Sequence, residues 1–365
     1  MADTIQTLQE VVQALAPLHR RAGSDDEAMA AEWLADRLER ASVPAQVQPE
    51  QFYNGYALQL MPLGIAGLLA GVLSVRGRRR GLAALLGATA AGLIADDVSN
   101  GTRVWRKLIQ SPKQTQNVVA EIGDPAADRT LVVLGHHDAA PTGQVFDPSL
   151  QLWLARTFPD FVQRSNKGMP LWWPVAGAPA LAAVSALLGS RKLATLASAL
   201  SSFTVWLGVD VARSPVVPGA NDNLSAVAAL VALAERLREA PVSGLRVVLA
   251  SCGAEEVLQG GIYGFVERTL KQLPRERTWV LNFDTIGSPA LAMLEGEGEF
   301  RIEEYTDPGF RDLVAAAAQR AGVSLQRGTW SRASTDSVIP SRAGYPTATV
   351  LSLIHISEPT RQAEI

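Results

Sequence analysis

The pattern of apolar and polar positions predicts helices and strands that alternate along most of the chain. Residues 4–20 and 24–41 repeat apolar positions at helical spacing, which predicts two amphipathic helices. Short apolar or alternating runs predict strands at 43–52, 116–122, 130–134, 245–250, 279–283 and 347–350. Helical patterns follow at 226–237 and 307–322. This order predicts an α/β fold built on a mostly parallel sheet, with its site beyond the carboxyl ends of the strands.

Two pairs of long apolar stretches interrupt this order. Residues 58–75 and 81–95 flank a basic tip at 76–80, and residues 171–189 and 193–209 flank Arg191 and Lys192. A bilayer span takes about 17–25 apolar residues. Three of the four stretches approach that length, and 81–95 is marginal. Their Gly- and Ala-rich composition permits close helix packing. We predict two apolar helical hairpins that enter a membrane and contact lipid. The alternative is that they pack on each other or on a second copy of the chain, giving a homo-oligomer.

The hairpins divide the chain into predicted units. Residues 1–56, 97–170 and 210–350 form one α/β domain, and residues 57–96 and 171–209 form the two hairpins. The basic tips favour a cytoplasmic tip and an outward-facing α/β domain. The basic residues Arg103, Arg106 and Lys107, and an N-terminus without a secretory signal pattern, favour the opposite orientation. The expected location is therefore the membrane, with the side of the α/β domain left open.

Composition narrows the class of protein. The 365 residues are 47% hydrophobic and carry a net charge of -3, which argues against a nucleic-acid partner. The single cysteine, Cys252, excludes an internal disulfide and a cysteine-rich zinc site.

Acidic and imidazole side chains follow three of the predicted strands, and a fourth group opens a helix. His136, His137 and Asp138 follow the strand at 130–134, and the pair Glu255–Glu256 follows the strand at 245–250. The other two groups are Asp284, after the strand at 279–283, and Asp222, before the helix at 226–237.

Each of these groups has a structural alternative when taken singly. Asp222 or Asp284 could cap a helix or turn, and a histidine could be a satisfied core residue. The pair Glu255–Glu256 could be a solvated turn. Taken together, buried carboxylates are costly unless a cation neutralises them. Imidazole and carboxylate ligands suit zinc, a bridging carboxylate suits two ions about 3.5–4 Å apart, and a free neighbouring glutamate suits a general base.

These motifs resemble those of a known family. Gly135-His136-His137-Asp138, Gly219-Ala220-Asn221-Asp222-Asn223, Glu255-Glu256 and Asn282-Phe283-Asp284 are similar to motifs of the co-catalytic dizinc aminopeptidases. That family includes bacterial leucyl aminopeptidases, glutamate carboxypeptidase-like enzymes and glutaminyl cyclases. The resemblance covers the chain apart from the two hairpins. It implies a three-layer αβα fold of the zinc exopeptidase type, and a zinc-dependent exopeptidase, with aminopeptidase activity on peptide substrates expected.

The resemblance also implies roles for individual residues. His136 and Asp284 would bind one zinc ion, Glu256 would bind the other, and Asp222 would bridge the two. Glu255 would act as general base, and Asp138 would steady the ring of His136. His137 receives no role. Asp336 is expected near the site, also without a role.

The end of the chain departs from the family pattern. The family needs one more zinc histidine late in the chain, where His355 is the only candidate. Residues 351–365, however, resemble the translation of a sequencing adapter, so we expect a non-native tail and a missing last ligand.

Two other functions therefore stay open. One is a glutaminyl-cyclase-like transferase, and the other is a membrane-anchored binding protein with an inactive peptidase fold.

Overall fold

The computed structural model describes residues 2–124, 126–144, 157 and 172–352. Within these residues, nine strands form one sheet, in the order β1-β2-β4-β3-β5-β9-β6-β7, with β8 paired to β6. The strands are β1 (Ala45–Phe52), β2 (Lys113–Gly123), β3 (Arg129–His136), β4 (Leu245–Cys252), β5 (Thr278–Asp284), β6 (Leu291–Glu297), β7 (Glu303–Glu304), β8 (Leu325–Ser331) and β9 (Thr347–Ser352).

The four central strands are parallel, and the strands on either side of them are mostly antiparallel. β4, β3, β5 and β9 run in one direction, so their carboxyl ends lie at the same edge. β1 and β2 join one side antiparallel, and β6 joins β9 antiparallel on the other. The predicted mixed, mostly parallel α/β sheet is confirmed at its centre. β6, β7 and β8 were not predicted from the sequence.

Helices cover both faces of the sheet. Adjacent residues of one strand face opposite layers, as the pleat requires. Val133 packs with Leu34 and Val231 on one face, whereas Val132 packs with Phe265 on the other. The helices are α1 (Ala2–Leu15), α2 (Asp25–Arg40), α3 (Tyr56–Val75), α4 (Arg80–Val98), α5 (Val104–Ile109), α6 (Trp172–Leu188), α7 (Arg191–Arg213), α8 (Ser225–Glu239), α9 (Gly260–Arg268), α10 (Pro308–Arg320) and α11 (Val338–Arg342).

Helices α3, α4, α6 and α7 pack together as an apolar four-helix bundle. Glycines permit the close crossings. A Cβ atom on Gly67 would lie 2.8 Å from the Oγ of Ser201 and 2.9 Å from the Cβ of Pro179. A Cβ atom on Gly87 would lie 2.6 Å from the carbonyl oxygen of Pro179. Small residues therefore set the distance between the two hairpins.

Among the described residues, three helices are long and apolar enough to cross a membrane, by length and composition alone: Tyr56–Val75, Arg80–Val98 and Arg191–Arg213. The second stretch, 81–95, was expected to be marginal in length, and it lies in one of these helices. Its helix has 19 residues, because it also includes Arg80 at its start and Asp96, Asp97 and Val98 at its end, outside the apolar run. The shorter helix is α6, with 17 residues.

The last strand continues into the stretch that was expected to be foreign. Leu351 and Ser352 belong to β9 and are fully buried, and Leu351 pairs with Asp284 and with Ala292. Strand structure thus extends two residues beyond position 350. The remainder of 351–365, including His355, lies outside the described residues, and the foreign tail stays a prediction.

Candidate metal centre

The predicted site residues lie at the shared carboxyl edge of the central strands. His136 is the last residue of β3 and pairs with Cys252, the last residue of β4. A 3-10 turn, Glu255–Val257, follows β4. Asp284 is the last residue of β5. The parallel pairing therefore brings these three strand ends to neighbouring positions.

Asp222 reaches the same edge from an irregular turn. It lies in the π-helical turn Ala220–Leu224, with non-helical backbone angles, φ -110° and ψ 95°. The residue at the cap position of α8 is Leu224, and no side chain caps that helix. The alternative in which Asp222 is the cap of this helix is therefore not what the structure shows.

Two asparagines beside Asp222 tie this turn to the loop after β5. The Oδ1 of Asn223 accepts the N–H of Thr285 at 3.0 Å, and its Nδ2 donates to the carbonyl of Phe283 at 3.0 Å. The Oδ1 of Asn221 accepts the N–H of Gly287 at 2.8 Å. Asp222 is thereby held next to Asp284. Both asparagines belong to the motif Gly219-Ala220-Asn221-Asp222-Asn223, whose sequence alone does not indicate this role.

The five predicted ligand and base residues form one cluster, in which Glu256 is half-buried and the other four are buried. The Nε2 of His136 lies 3.2 Å from the Oδ1 of Asp222 and 3.9 Å from the Oε2 of Glu255. Two sets of ligand atoms each fit within 4.8 Å: His136, Asp222 and Asp284 form one, and His136, Glu255 and Glu256 form the other. Both sets contain His136, so the two groups of carboxylates surround one imidazole.

Asp138 supports this cluster from behind. Its Oδ1 lies 3.4 Å from the Nδ1 of His136, and its two oxygens accept the backbone N–H groups of Glu255 and Glu256, each at 3.0 Å. The side chain is fully buried. One carboxylate therefore contacts both the histidine and the turn that carries the glutamates. The first contact was expected from the resemblance, and the second was not.

The shifted pKa values of the cluster indicate that a bound cation would stabilise it. Burial raises the pKa of Glu255 well above its usual value; His136 opposes this rise, and the carboxylates of Asp336 and Asp284 add to it. Burial, and then the neighbouring Asp222, raise the pKa of Glu256 in the same direction. Burial alone would lower the pKa of His136, but Glu255, Asp138 and Asp222 raise it well above its usual value. A divalent cation would stabilise the charged carboxylates and the neutral imidazole together.

The donor set fits zinc. Imidazole nitrogen and carboxylate oxygen are both common zinc ligands. The Oε1 of Glu256 is buried, and within the described part of the chain it has no hydrogen-bond partner. A buried oxygen of this kind normally has a partner, and a bound ion would supply one.

Two further predicted neighbours of the site can be placed. Asp336 is buried beside Cys252, and burial raises its pKa to about 7, with His136 opposing and Asp138 and Asp284 adding to the rise. The Nδ1 of His137 lies 3.0 Å from the Oγ of Ser251. His137 belongs to neither set of ligand atoms.

Buried residues outside the motifs hold the surrounding backbone, and the sequence did not predict them as site residues. The Oε1 of Glu27 accepts the N–H of Ala254 and the Oγ1 hydrogen of Thr115, both at 2.8 Å. The Nε of Arg20 donates to the carbonyl of His137, and its Nη2 donates to that of Pro218, both at 2.8 Å. The sequence showed Glu27 only as part of an acidic helix start. Nothing local indicated that these side chains reach the site.

Comparison with known structures places the fold in one class. The leucine aminopeptidase precursor from Bacteroides thetaiotaomicron aligns over 98% of this chain and 92% of its own, with a TM-score of 0.52 and 13% identity. The glutaminyl cyclase from the same organism aligns over 98% and 93%, with a TM-score of 0.51 and 13% identity. An aminopeptidase from Aneurinibacillus sp. strain AM-1 aligns over 95% and 84%, with a TM-score of 0.50 and 14% identity. The fold is thus the α/β fold of the zinc exopeptidases. No curated protein sequence matches the chain.

The sequence itself also matches a family model. Residues 186–363, just under half of the chain, match the model of Peptidase family M28. The family resemblance drawn from the motifs is therefore confirmed. The matched region contains Asp222, Glu255, Glu256 and Asp284, whereas His136 and Asp138 precede it.

Proposed function

We propose that the protein is a zinc-dependent exopeptidase, acting as an aminopeptidase on peptide substrates with two zinc ions. The observation that carries this proposal is the convergence of one imidazole and four carboxylates in a single buried cluster. The similarity to aminopeptidases of known structure supports the choice of substrate.

The proposed roles rest on the first set of ligand atoms and, for the second ion, on the family resemblance. His136, Asp222 and Asp284 would hold one zinc ion, and Glu256 together with Asp222 would hold the other. When bound, zinc polarises the scissile carbonyl and the attacking water. Glu255 accepts a proton from that water and passes it to the leaving amine. Asp138 keeps the ring of His136 and the glutamate turn in place.

Metal analysis together with two glutamate variants tests these roles. We expect about two equivalents of zinc and chelator-sensitive hydrolysis of an unblocked aminoacyl p-nitroanilide. Glu255→Gln should keep the metal and lose about 10²–10⁴-fold in kcat, because a positioned base contributes that much. Glu256→Gln should bind zinc more weakly. Full activity in metal-free protein would refute the proposal, and the reverse pattern in the two variants would exchange the two roles.

Glutaminyl cyclisation is the second candidate, because glutaminyl cyclases are among the structures with this fold. A peptide with N-terminal glutamine separates the two activities. A cyclase releases ammonia and leaves the peptide bonds intact, whereas an aminopeptidase releases free glutamine. A zinc-loaded protein that catalyses neither reaction would instead support the inactive, membrane-anchored binding protein.

The apolar bundle is proposed to anchor the enzyme in a membrane and to contact lipid. The hairpins at 57–96 and 171–209 would interrupt a catalytic domain made of 1–56, 97–170 and 210–350. Both ends of each hairpin would then lie on the same side of the bilayer, so one domain can form from separated stretches. Recovery of the protein as a soluble monomer without detergent would contradict the anchoring. A detergent-free dimer would favour the alternative in which the bundle packs on a second copy.

A further inference from the structure

Gln259 makes a direct hydrogen bond to the proposed general base. It lies two residues after the turn Glu255–Val257, and its side chain is buried. The Nε2 of Gln259 donates to the Oε1 of Glu255 at 3.0 Å and to the carbonyl of Ser334 at 2.8 Å. Both hydrogens of the amide nitrogen are therefore used.

The orientation of this amide is fixed by a chain of donors. The Oε1 of Gln259 accepts from the Nδ2 of Asn100 at 2.8 Å. The Oδ1 of Asn100 in turn accepts from the guanidinium of Arg103 and from the hydroxyl of Tyr263. A guanidinium can only donate, so Asn100 must present its oxygen to Arg103 and its nitrogen to Gln259. By the same reasoning, Gln259 must present its nitrogen to Glu255.

The two carboxylate oxygens of Glu255 have different neighbours. Oε1 is held by the amide of Gln259, whereas Oε2 lies 3.9 Å from the Nε2 of His136, on the side of the metal cluster. We infer that Gln259 is a positioning residue, which fixes the rotation of the Glu255 carboxylate and leaves Oε2 for proton transfer. The inference rests on the proposed function, since it takes Glu255 to be the base.

The series of hydrogen bonds that orients Gln259 starts from residues just after the first apolar hairpin. Asn100 and Arg103 follow directly after α4, the second helix of that hairpin. Arg103 also donates to the carbonyl of Leu258, and it stacks 4.8 Å from the ring centroid of Tyr263. The position of the base therefore depends on the segment that joins the hairpin to the α/β domain. Residues more than 150 positions apart in the chain meet here.

The first test removes the hydrogen bond. Gln259→Leu keeps a similar volume but cannot hold the carboxylate, and we expect kcat to fall by about 10²-fold, the cost of misplacing a reacting group. KM and zinc content should stay at the wild-type values, because neither a ligand nor the surface of the cluster is changed. Gln59→Leu is the matched control. Gln59 is also a fully buried glutamine, at the start of the same hairpin, and its side chain bonds to Gln110.

The second test reverses the orientation of the Gln259 amide and leaves the size of the side chain at position 100 almost unchanged. Asn100→Asp places an acceptor where Nδ2 stood, so Gln259 must turn its nitrogen away from Glu255. We expect a fall in kcat of about 10- to 100-fold, which corresponds to the loss of a hydrogen bond to a charged group. The double variant Gln259→Leu/Asn100→Asp should be no slower than Gln259→Leu alone, because both changes act through one contact.

The outcomes separate this inference from the proposed function. If Glu255→Gln retains full activity, the assignment of the base has failed. If Glu255→Gln is inactive while Asn100→Asp has wild-type kcat, only the role of Gln259 is refuted. Loss of zinc or a changed KM in Gln259→Leu would assign Gln259 a structural role instead and would also overturn the inference.

Discussion

The Oδ1 of Asp138 accepts the backbone N–H of Glu255 at 3.0 Å, and its Oδ2 does the same for the next residue in the chain. The end of β3 and the turn after β4 are thereby joined through one buried carboxylate. The same carboxylate lies 3.4 Å from the imidazole of His136. Asp138 therefore sets the position of the proposed base relative to a proposed ligand.

We predict that Asp138→Asn weakens zinc binding by about 10–100-fold, as is typical when a group that orients a ligand is changed. An amide has one accepting oxygen, so its NH2 group must face one of the two N–H donors. Zinc titration monitored by activity measures the effect. Asp307→Asn is the control, because Asp307 is an exposed carboxylate that accepts a single N–H, from Gly309 at 2.9 Å. Unchanged zinc affinity in Asp138→Asn would contradict the role given to this residue.

The placement of the site was predictable because it is a local property of the sequence. His136 and Asp284 end parallel strands, and such ends meet at one edge of the sheet. The apolar strand runs and the polar residues after them are both visible along the chain. The family resemblance then supplied the separate roles of Glu255 and Glu256.

The supports of the site were not predictable, because each joins residues far apart in the chain. Glu27 reaches Ala254, and Asn100 reaches Gln259, through contacts that no local pattern encodes. β6 and β8 were missed for another reason. β8 is rich in polar residues, and the apolar run of β6 ends at Leu294. The rest of β6 contains the fully buried Glu297, which accepts the N–H of Thr335. Neither strand therefore shows a long apolar or alternating pattern.

Breaking the buried ion pair of Arg106 and Asp97 should destabilise the junction of the bundle and the α/β domain. Arg106 binds both carboxylate oxygens, at 2.6 and 2.7 Å, and both side chains are buried. We predict that Arg106→Met lowers the free energy of unfolding by about 3–5 kcal/mol, since it leaves a carboxylate buried without its cation. Chemical denaturation in detergent measures this change.

Two further variants make the test specific. Arg246→Met removes a surface bridge to Glu121 and should cost less than about 1 kcal/mol. Arg106→Met/Asp97→Leu removes both charges and should recover much of the lost stability. If the double variant is as unstable as Arg106→Met alone, the loss comes from packing and not from the buried charge.

The glycines of the apolar bundle should respond to alanine in opposite directions. A Cβ atom on Gly67 would lie 2.8 Å from the Oγ of Ser201 and 3.2 Å from the Cα of Pro179, so the helices must separate. We expect Gly67→Ala to cost about 1–3 kcal/mol, the range for overpacking. Gly92 has open space at its Cβ position, so Gly92→Ala should be neutral or stabilising by up to about 1 kcal/mol. Thermal unfolding of the two variants in one detergent makes the comparison, and equal shifts in Tm would contradict the packing described.

His137 should make a contribution to stability that is lost on mild acidification. Burial lowers the pKa of His137 to about 4; Asp138 opposes this, and Arg20 and His136 add to it. The unfolded chain keeps the ordinary value of 6.5, so between these values the unfolded state binds a proton that the native state does not. The contribution of His137 to the free energy of unfolding is fully present above pH 6.5. It is lost as the pH falls from 6.5 to about 4, and the loss over this range is about 3 kcal/mol.

His137→Gln isolates this contribution. A carboxamide can bond to the hydroxyl of Ser251, as the imidazole does, but it does not titrate. We expect the free energy of unfolding of the wild-type protein to fall between about pH 7.5 and about pH 5 by roughly 2 kcal/mol more than that of the variant. Denaturation is measured with chelator present, so that loss of metal does not add to the difference. Parallel pH dependences for the two proteins would show that His137 is protonated as easily in the native state as in the unfolded chain.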